Sequence, residues 1–435
     1  ANTPQRSAPR SCAKSAVFLA RGGPVHMTSE LFAVFGRIGL MSFGGPAAQI
    51  ALMHKELVEG RKWLSEQEFL SGLSFCMLLP GPEAMQLATY SGWRLRGTLG
   101  GLIAGLLFVV PGALVILALG AIYVSYGDVP IVQTLFLGVK AAVLAIVLEA
   151  LIKVAKRAFK LPLHWALAIA SFIAIFVFAL PFPAVIGVAA LIGYLTTPAA
   201  AHVATPSVPM MQTLLTIAIW LAIWWLPILT LGFVIGHDFL FQLALFFSKL
   251  ATVTFGGAYA VLAFMGQEVV QNLGWISAAD MIDGLGLAET TPGPLILVTE
   301  FVGFLAGYNA GGASLAVLAA LVTLWVTFVP CFLWIFAGAP YIAWMSAQPR
   351  LNGALSAITA AVVGVIANLS IWFAMNVIFA QVDRARFGWL PDVASLDWRA
   401  LVLSLIAAIL LLRLQVGLFK VLFISALLAV GVSLV

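Results

Sequence analysis

Along most of this chain polar residues are interruptions in apolar runs, with no helical or strand period of their own. Apolar stretches of about 18 residues or more recur from end to end, the signature of membrane-spanning helices. They fall at roughly 30–53, 67–93, 99–123, 131–152, 164–180, 183–196, 210–235, 239–267, 279–306, 312–338, 352–380, 399–413 and 416–435. A β-barrel would show short segments alternating between apolar and polar residues, and these are absent. The pattern predicts an all-α, polytopic integral membrane protein. No polar stretch is long enough for a soluble domain, so the residues that carry function are expected among the spans.

Several of these segments are broken. The first carries Arg37 and then Phe43-Gly44-Gly45-Pro46, and the second carries Pro80-Gly81-Pro82. The breaks recur at a constant offset of 212 residues. Ser42-Phe43-Gly44-Gly45 matches Thr254-Phe255-Gly256-Gly257, and Trp63-Leu64-Ser65 matches Trp275-Ile276-Ser277. Gly72-Leu73 matches Gly284-Leu285, and Pro80-Gly81-Pro82 matches Pro292-Gly293-Pro294. Farther on, Gly138 pairs with Gly353 after a small insertion. A lone Gly-Gly or Pro-Gly-Pro carries little information, but this series without a gap reads as an internal duplication. The expected units are a first membrane repeat at 28–200, a connecting segment at 201–239 with one inverting helix, and a second repeat at 240–435.

Charge predicts how the repeats sit. Lys55, Arg61, Lys62, Arg94, Arg96, Lys153, Lys156, Arg157 and Lys160 mark first-repeat loops as cytoplasmic. All of them share one side only if the first two segments each return to the side they entered, as re-entrant or paired short helices. The matching second-repeat loops, "GQEVVQNLGW" and "GYNAGG", have no Lys or Arg. That predicts inverted topology and an extracytoplasmic C-terminus. Arg384, Arg386 and Arg399 run against the rule, although Asp383, Asp392 and Asp397 accompany them. Residues 1–27 read as a disordered, basic cytoplasmic tail, with Met27 a candidate natural start.

Composition agrees with a membrane protein and removes other classes. The chain is 63% hydrophobic and 9% charged, where soluble domains are about half apolar and a quarter charged. Cys12, Cys76 and Cys331 form no CxxC, and the five histidines show no metal-ligand spacing. No cofactor, metal or nucleic acid is expected. Trp63, Trp93, Trp275 and Trp389 sit at segment ends, as an interfacial belt does.

The breaks suggest chemistry. Irregular backbone at membrane depth is tolerated only where protein buries it or water reaches it. Paired Gly/Pro-broken segments point to a transporter's substrate site, because half-helix starts present N–H groups and a positive dipole end to anions. Thr290 and Thr291 add candidate hydroxyl donors. Arg37 has a repeat partner, Lys249, five residues before the Ser/Thr that opens the Phe-Gly-Gly motif. Intramembrane cations usually mark function, so the pair completes a site for a small dianion, and Arg37→Ala is expected to abolish transport. The alternative is that both cations snorkel or pair with acids. Glu83, Glu289 and Glu300 are candidate proton carriers, and none has an acid at the matching position (Leu295, Met77, Ala88). Glu149 has Lys153 one turn on as a simple ion-pair partner.

The stretches "FGRIGLMSFGGPAAQIALMHKELVEGRKWLSEQEF" and "LLPGPEAMQLATYSGWRLRG", with "TFGGAYAVL" and "TTPGPL" in the second half, resemble the chromate ion transporters in their long two-domain form. The resemblance covers 28–435. It implies a multi-pass protein of the bacterial inner membrane that exports chromate and confers resistance to it. Sulfate uptake or exchange is the alternative, sulfate is a possible competitor, and a homodimer is a candidate assembly. Carried onto matching positions, the family motifs are Phe43-Gly44-Gly45-Pro46 and Pro80-Gly81-Pro82-Glu83. Their second-half counterparts are Phe255-Gly256-Gly257 and Pro292-Gly293-Pro294. The second half departs from the pattern, with Ala258 for proline and Leu295 for glutamate.

Overall fold

The structure is a computed structural model that describes residues 28–199, 210–255, 257–385 and 388–433. The tail 1–27, the start of the connecting segment and Gly256 lie outside the described residues.

The first half runs α1 (Thr28–Met41), α2 (Gly45–His54), α3 (Glu66–Cys76), α4 (Glu83–Tyr126), α5 (Pro130–Ala158), α6 (Pro162–Phe176) and α7 (Phe182–Thr196). A π-helical turn, Lys55–Gly60, prolongs α2. The connecting helix α8 (Met210–Leu229) follows. The second half repeats the order with α9 (Asp238–Val253), α10 (Ala258–Met265), a π-helical turn at Gly266–Asn272, α11 (Ala278–Thr290) and α12 (Val298–Gly338). After a short α13 (Ile342–Ser346) come α14 (Pro349–Ile378), strands β1 (Val382–Ala385) and β2 (Gly388–Pro391), α15 (Trp398–Ala408) and α16 (Leu418–Ser433).

Local sequence sets these boundaries. Ser65 caps α3 and receives the Glu68 backbone N–H, while the Glu68 carboxylate takes the Ser65 N–H at 3.0 Å. Ser277 and Asp280 make the same box at the start of α11. Such a cap is worth about 1 kcal/mol. Pro130, Pro162 and Pro349 open α5, α6 and α14, where a proline loses no helical hydrogen bond.

Among the described residues, five stretches are long and apolar enough to cross a membrane: Glu83–Tyr126, Pro130–Ala158, Met210–Ile235, Leu295–Ser346 and Pro349–Ile378. The 44 residues of α4 would extend roughly 66 Å if straight, about twice a bilayer core. The chain folds back instead at Arg96 and Gly97 (φ 60°). Gly92 then lies against Gly100, and the Thr89 hydroxyl against Gly105. Gly311 and Gly312 fold α12 in the same way. Segments expected as separate spans, 67–93 and 99–123, thus share one helical hairpin. Across the Pro-Gly-Pro breaks the helices pack as pairs: Gly72 of α3 faces the Tyr90 ring of α4, and Gly284 of α11 faces Phe301 of α12.

The halves interlock. Helix α4 packs on α12, α5 on α15 and α16, and α14 on α6 and α7. The β1–β2 hairpin was not expected from an all-helical reading. It pairs Arg384 with Trp389 across the strands, with the guanidinium 5.3 Å from the indole ring. That cation–π contact accounts for one of the arginines that broke the charge rule.

Candidate functional site

The breaks meet at the centre and are held by two matched hydrogen bonds. The Gly81 N–H donates to the Thr254 carbonyl at 2.9 Å, and the Gly293 N–H donates to the Ser42 carbonyl at 2.8 Å. Each half's Pro-Gly-Pro loop therefore hangs on the other half's first break. Gly81 (φ 112°) and Gly293 (φ 93°) adopt a backbone that side-chain-bearing residues avoid. Ser42 ends α1 by donating its hydroxyl to the Ile38 carbonyl at 2.6 Å; Thr254 does the same to Leu250 at 2.5 Å.

Two glutamines brace this crossing, and only in the first half. Gln49 donates to the Gly293 carbonyl at 2.6 Å, and Gln86 donates to the Pro80 carbonyl at 2.6 Å. The oxygen of each amide is buried with no partner among the described residues. A buried polar atom left without a partner costs about 1–3 kcal/mol, so the crossing holds acceptor capacity in reserve. The matching second-half positions are Val261 and Val298.

A closed cavity of about 10 Å³ sits at the crossing, lined by Pro46, Gln49, Pro82, Glu83, Thr254, Ala258 and Pro294 among others. It is barely large enough for one water. A second cavity of about 110 Å³ lies beside it. Gly81 and Glu83 line both, and Cys76, Phe255, Gly257 and Arg157 line the larger one. Glu83 thus stands at the joint, and Arg157 is the only cationic side chain in that larger lining.

The other sequence candidates fall in three places. Gly44, Gly45 and Gly257 have positive φ at the breaks. Phe43 turns its ring to Phe419 of α16 at 5.6 Å, and the Pro292 carbonyl lies against Gly112 of α4. Thr291 spends its hydroxyl on the Leu287 carbonyl at 2.7 Å, and Thr290 does likewise at 2.8 Å. Glu289 is buried and receives the Tyr259 hydroxyl at 2.7 Å. Glu300 is buried with one carboxyl oxygen unpartnered among the described residues.

The structure does not bring Arg37 and Lys249 to the crossing. The Arg37 side chain is 59% exposed and lies 3.9 Å from Glu56, which Arg61 also engages at 2.6 Å. Lys249 is exposed, its ammonium 5.4 Å from the Phe264 ring. Neither lines either cavity. Sequence reading missed Gln49 and Gln86 as braces, and it used Arg157 only to mark a side of the membrane. The glutamines left a signal: each is an uncharged hydrogen-bonding residue inside an apolar run, beside a break.

Broken helices converging on an enclosed centre are the build of a secondary transporter. Sequence comparison gives the family. The chromate transporter profile matches residues 29–194 and 241–432. A chromate transport protein of Cupriavidus metallidurans is 30% identical over 84% of this chain and 86% of its own length. One of Pseudomonas aeruginosa is 32% identical over 82% of each. No solved structure matches. The chain belongs to the chromate transporter family, whose curated members here are named as transport proteins rather than enzymes.

Proposed function

We propose that the protein is a secondary exporter of chromate across the bacterial inner membrane, and that the anion passes through the crossing of the two Pro-Gly-Pro loops. The observation that carries this reading is the reciprocal pair of hydrogen bonds, Gly81 to Thr254 and Gly293 to Ser42. It joins the two halves where the breaks at Ser42, Gly81, Thr254 and Gly293 meet, as two inverted repeats would be joined. Opening one side and closing the other means exchanging contacts of matched geometry, which lowers the difference between the two states.

In this reading the side bearing Lys153, Lys156, Arg157 and Lys160 is cytoplasmic, the N-terminus lies there, and the C-terminus lies outside. Arg157 draws the dianion into the larger cavity. Glu83 at the joint repels it until that carboxylate is neutralised or displaced. The starts of α2, α4 and α10 then present their dipole ends. Arg37 and Lys249 act from the rim, by long-range attraction. Direction follows from charge: a dianion leaving a negative-inside cell gains about 4.6 kcal/mol per 100 mV.

Everted vesicles containing the protein should accumulate chromate when the interior is made positive, and sulfate should compete. Vesicles with inserted protein that accumulate none sink the proposal. Sulfate movement in the opposite direction, without chromate movement, would favour the uptake alternative.

A further inference from the structure

Away from the crossing, α5 and α11 share a seam, with Gly286 packed on Val139. At one end of it a cavity of about 480 Å³ opens. The titratable groups facing it are Tyr123 of α4, Asp128, Lys140 of α5, Asp280 and Asp283 of α11, and Tyr308 of α12. Lys140 lies 3.2 Å from Asp283. The Tyr123 hydroxyl lies 2.9 Å from both Asp280 and Asp283.

The hydrogen-bond count does not close. Tyr123 has one proton for two carboxylates. Asp280 is already supplied by the Ser277 backbone N–H at 3.0 Å and the Ser277 hydroxyl at 2.7 Å. Asp283 is only 3% exposed, and its Oδ1 has no partner among the described residues. The cluster therefore has a place for one more proton, on Asp283, at the wall of an acid-lined cavity that attracts cations. A structural ion pair alone would not need the orphan oxygen.

A second group continues the seam. Glu289 lies six residues beyond Asp283, roughly 9 Å along the helix axis. It receives the Tyr259 hydroxyl at 2.7 Å and lies within electrostatic reach of Glu149 and Lys153 of α5. Those two pair at 2.8 Å near the opposite end of α5. At the matching first-half positions, Asp283 and Glu289 are replaced by Ser71 and Met77.

We propose that Asp283 is a proton-binding site of the transport cycle, reached from this cavity. A hydronium ion entering the cavity protonates the Asp283 carboxylate and leaves as water, and the neutral carboxyl leaves Lys140 as the uncompensated charge. Loss of that proton restores the Lys140–Asp283 pair. This proton site is separate from the crossing, and the first half has Ser71 at the matching position. The inference rests on the transport reading and names the coupling ion for it.

Proteoliposomes holding wild type or Asp283→Asn test this with a chromate flux assay and an internal pH dye. Wild type should move protons against chromate. Asp283→Asn should keep potential-driven chromate flux while its proton movement falls on the order of tenfold. Coupled proton movement at the wild-type ratio in Asp283→Asn overturns the proposal. If an unpaired Lys140 prevents insertion, the double variant Lys140→Gln/Asp283→Asn replaces it with the same expectation. An infrared titration of the detergent-solubilised protein needs no chromate. The carboxylic-acid band that grows as pH falls should lose a component in Asp283→Asn relative to wild type, and superimposable titrations of the two also overturn the proposal. Absence of chromate flux in wild type together with this difference would fail the transport reading and leave the proton site standing.

Discussion

The two arms of the crossing share a backbone and differ in side chains. Both have a glycine at positive φ, a helix-ending Ser or Thr hydroxyl, and a cross-half hydrogen bond within 0.1 Å of the other's length. Only the first arm adds Gln49, Gln86 and Glu83; the second has Val261, Val298 and Leu295 in their places. The two arms thus share what the geometry requires, while the polar chemistry collects on one side. The opposite bias appears in the α5–α11 seam, where the acids belong to the second half's α11. In the proposed reading the first arm handles the anion, and the second half's α11 holds ionisable groups suited to a coupling ion.

The largest effect should come from the shared backbone. Gly81→Ala would place a Cβ 3.0 Å from the Cys331 sulfur and the Gln86 amide nitrogen, at φ 112°. Gly293→Ala meets Leu297 at 3.1 Å and the Phe108 carbonyl at 3.3 Å. Misplacement of about 1 Å at a working site costs on the order of a hundredfold, so vesicle chromate flux per inserted protein should fall by that order in both. A Gly293→Ala variant with normal flux would break the symmetry of the two arms.

Next come the charges of the larger cavity. Glu83→Gln removes a repulsion of roughly 1 kcal/mol, so the KM for chromate should fall about fivefold. Arg157→Gln should raise it by a similar factor, while Leu295→Gln leaves it unchanged. Equal shifts in Glu83→Gln and Leu295→Gln would mean that polarity at the joint does not distinguish the arms. Gln49→Leu should act mainly on stability, losing about 1 kcal/mol and lowering the detergent melting temperature by a few degrees. Val261→Leu should change little. The smallest effect belongs to the rim: Arg37→Ala and Lys249→Ala should raise KM by about twofold and lose that effect in high salt. Abolished transport in either would restore these cations to the centre.

Much of this was legible in one dimension. Apolar run length identifies a membrane protein because the bilayer demands satisfied backbone over about 20 residues. The offset of 212 located all four breaks, since glycine and proline mark backbone that a regular helix cannot supply. The capping boxes at Ser65 and Ser277 are equally local.

Arg37 shows where local reading stops. Its repeat partner Lys249 suggested a shared centre, but a long side chain goes where its neighbours draw it. Glu56 takes the arginine to the rim, and the Phe264 ring takes the lysine. Gln49 makes the converse point. Its bond to Gly293 spans 244 residues, a distance no periodicity encodes.

Run length and residue type were enough for the class, the broken segments and the residues at each break, because these follow from hydrophobicity and backbone stereochemistry. Tertiary structure alone decided which polar groups face each other. It put Gly81 on Thr254, Arg157 beside the joint at Glu83, and Lys140 against Asp283. The reason is that interlocking halves bring together residues far apart in the chain, and charge partnerships in a low-dielectric interior depend on distances of a few ångströms.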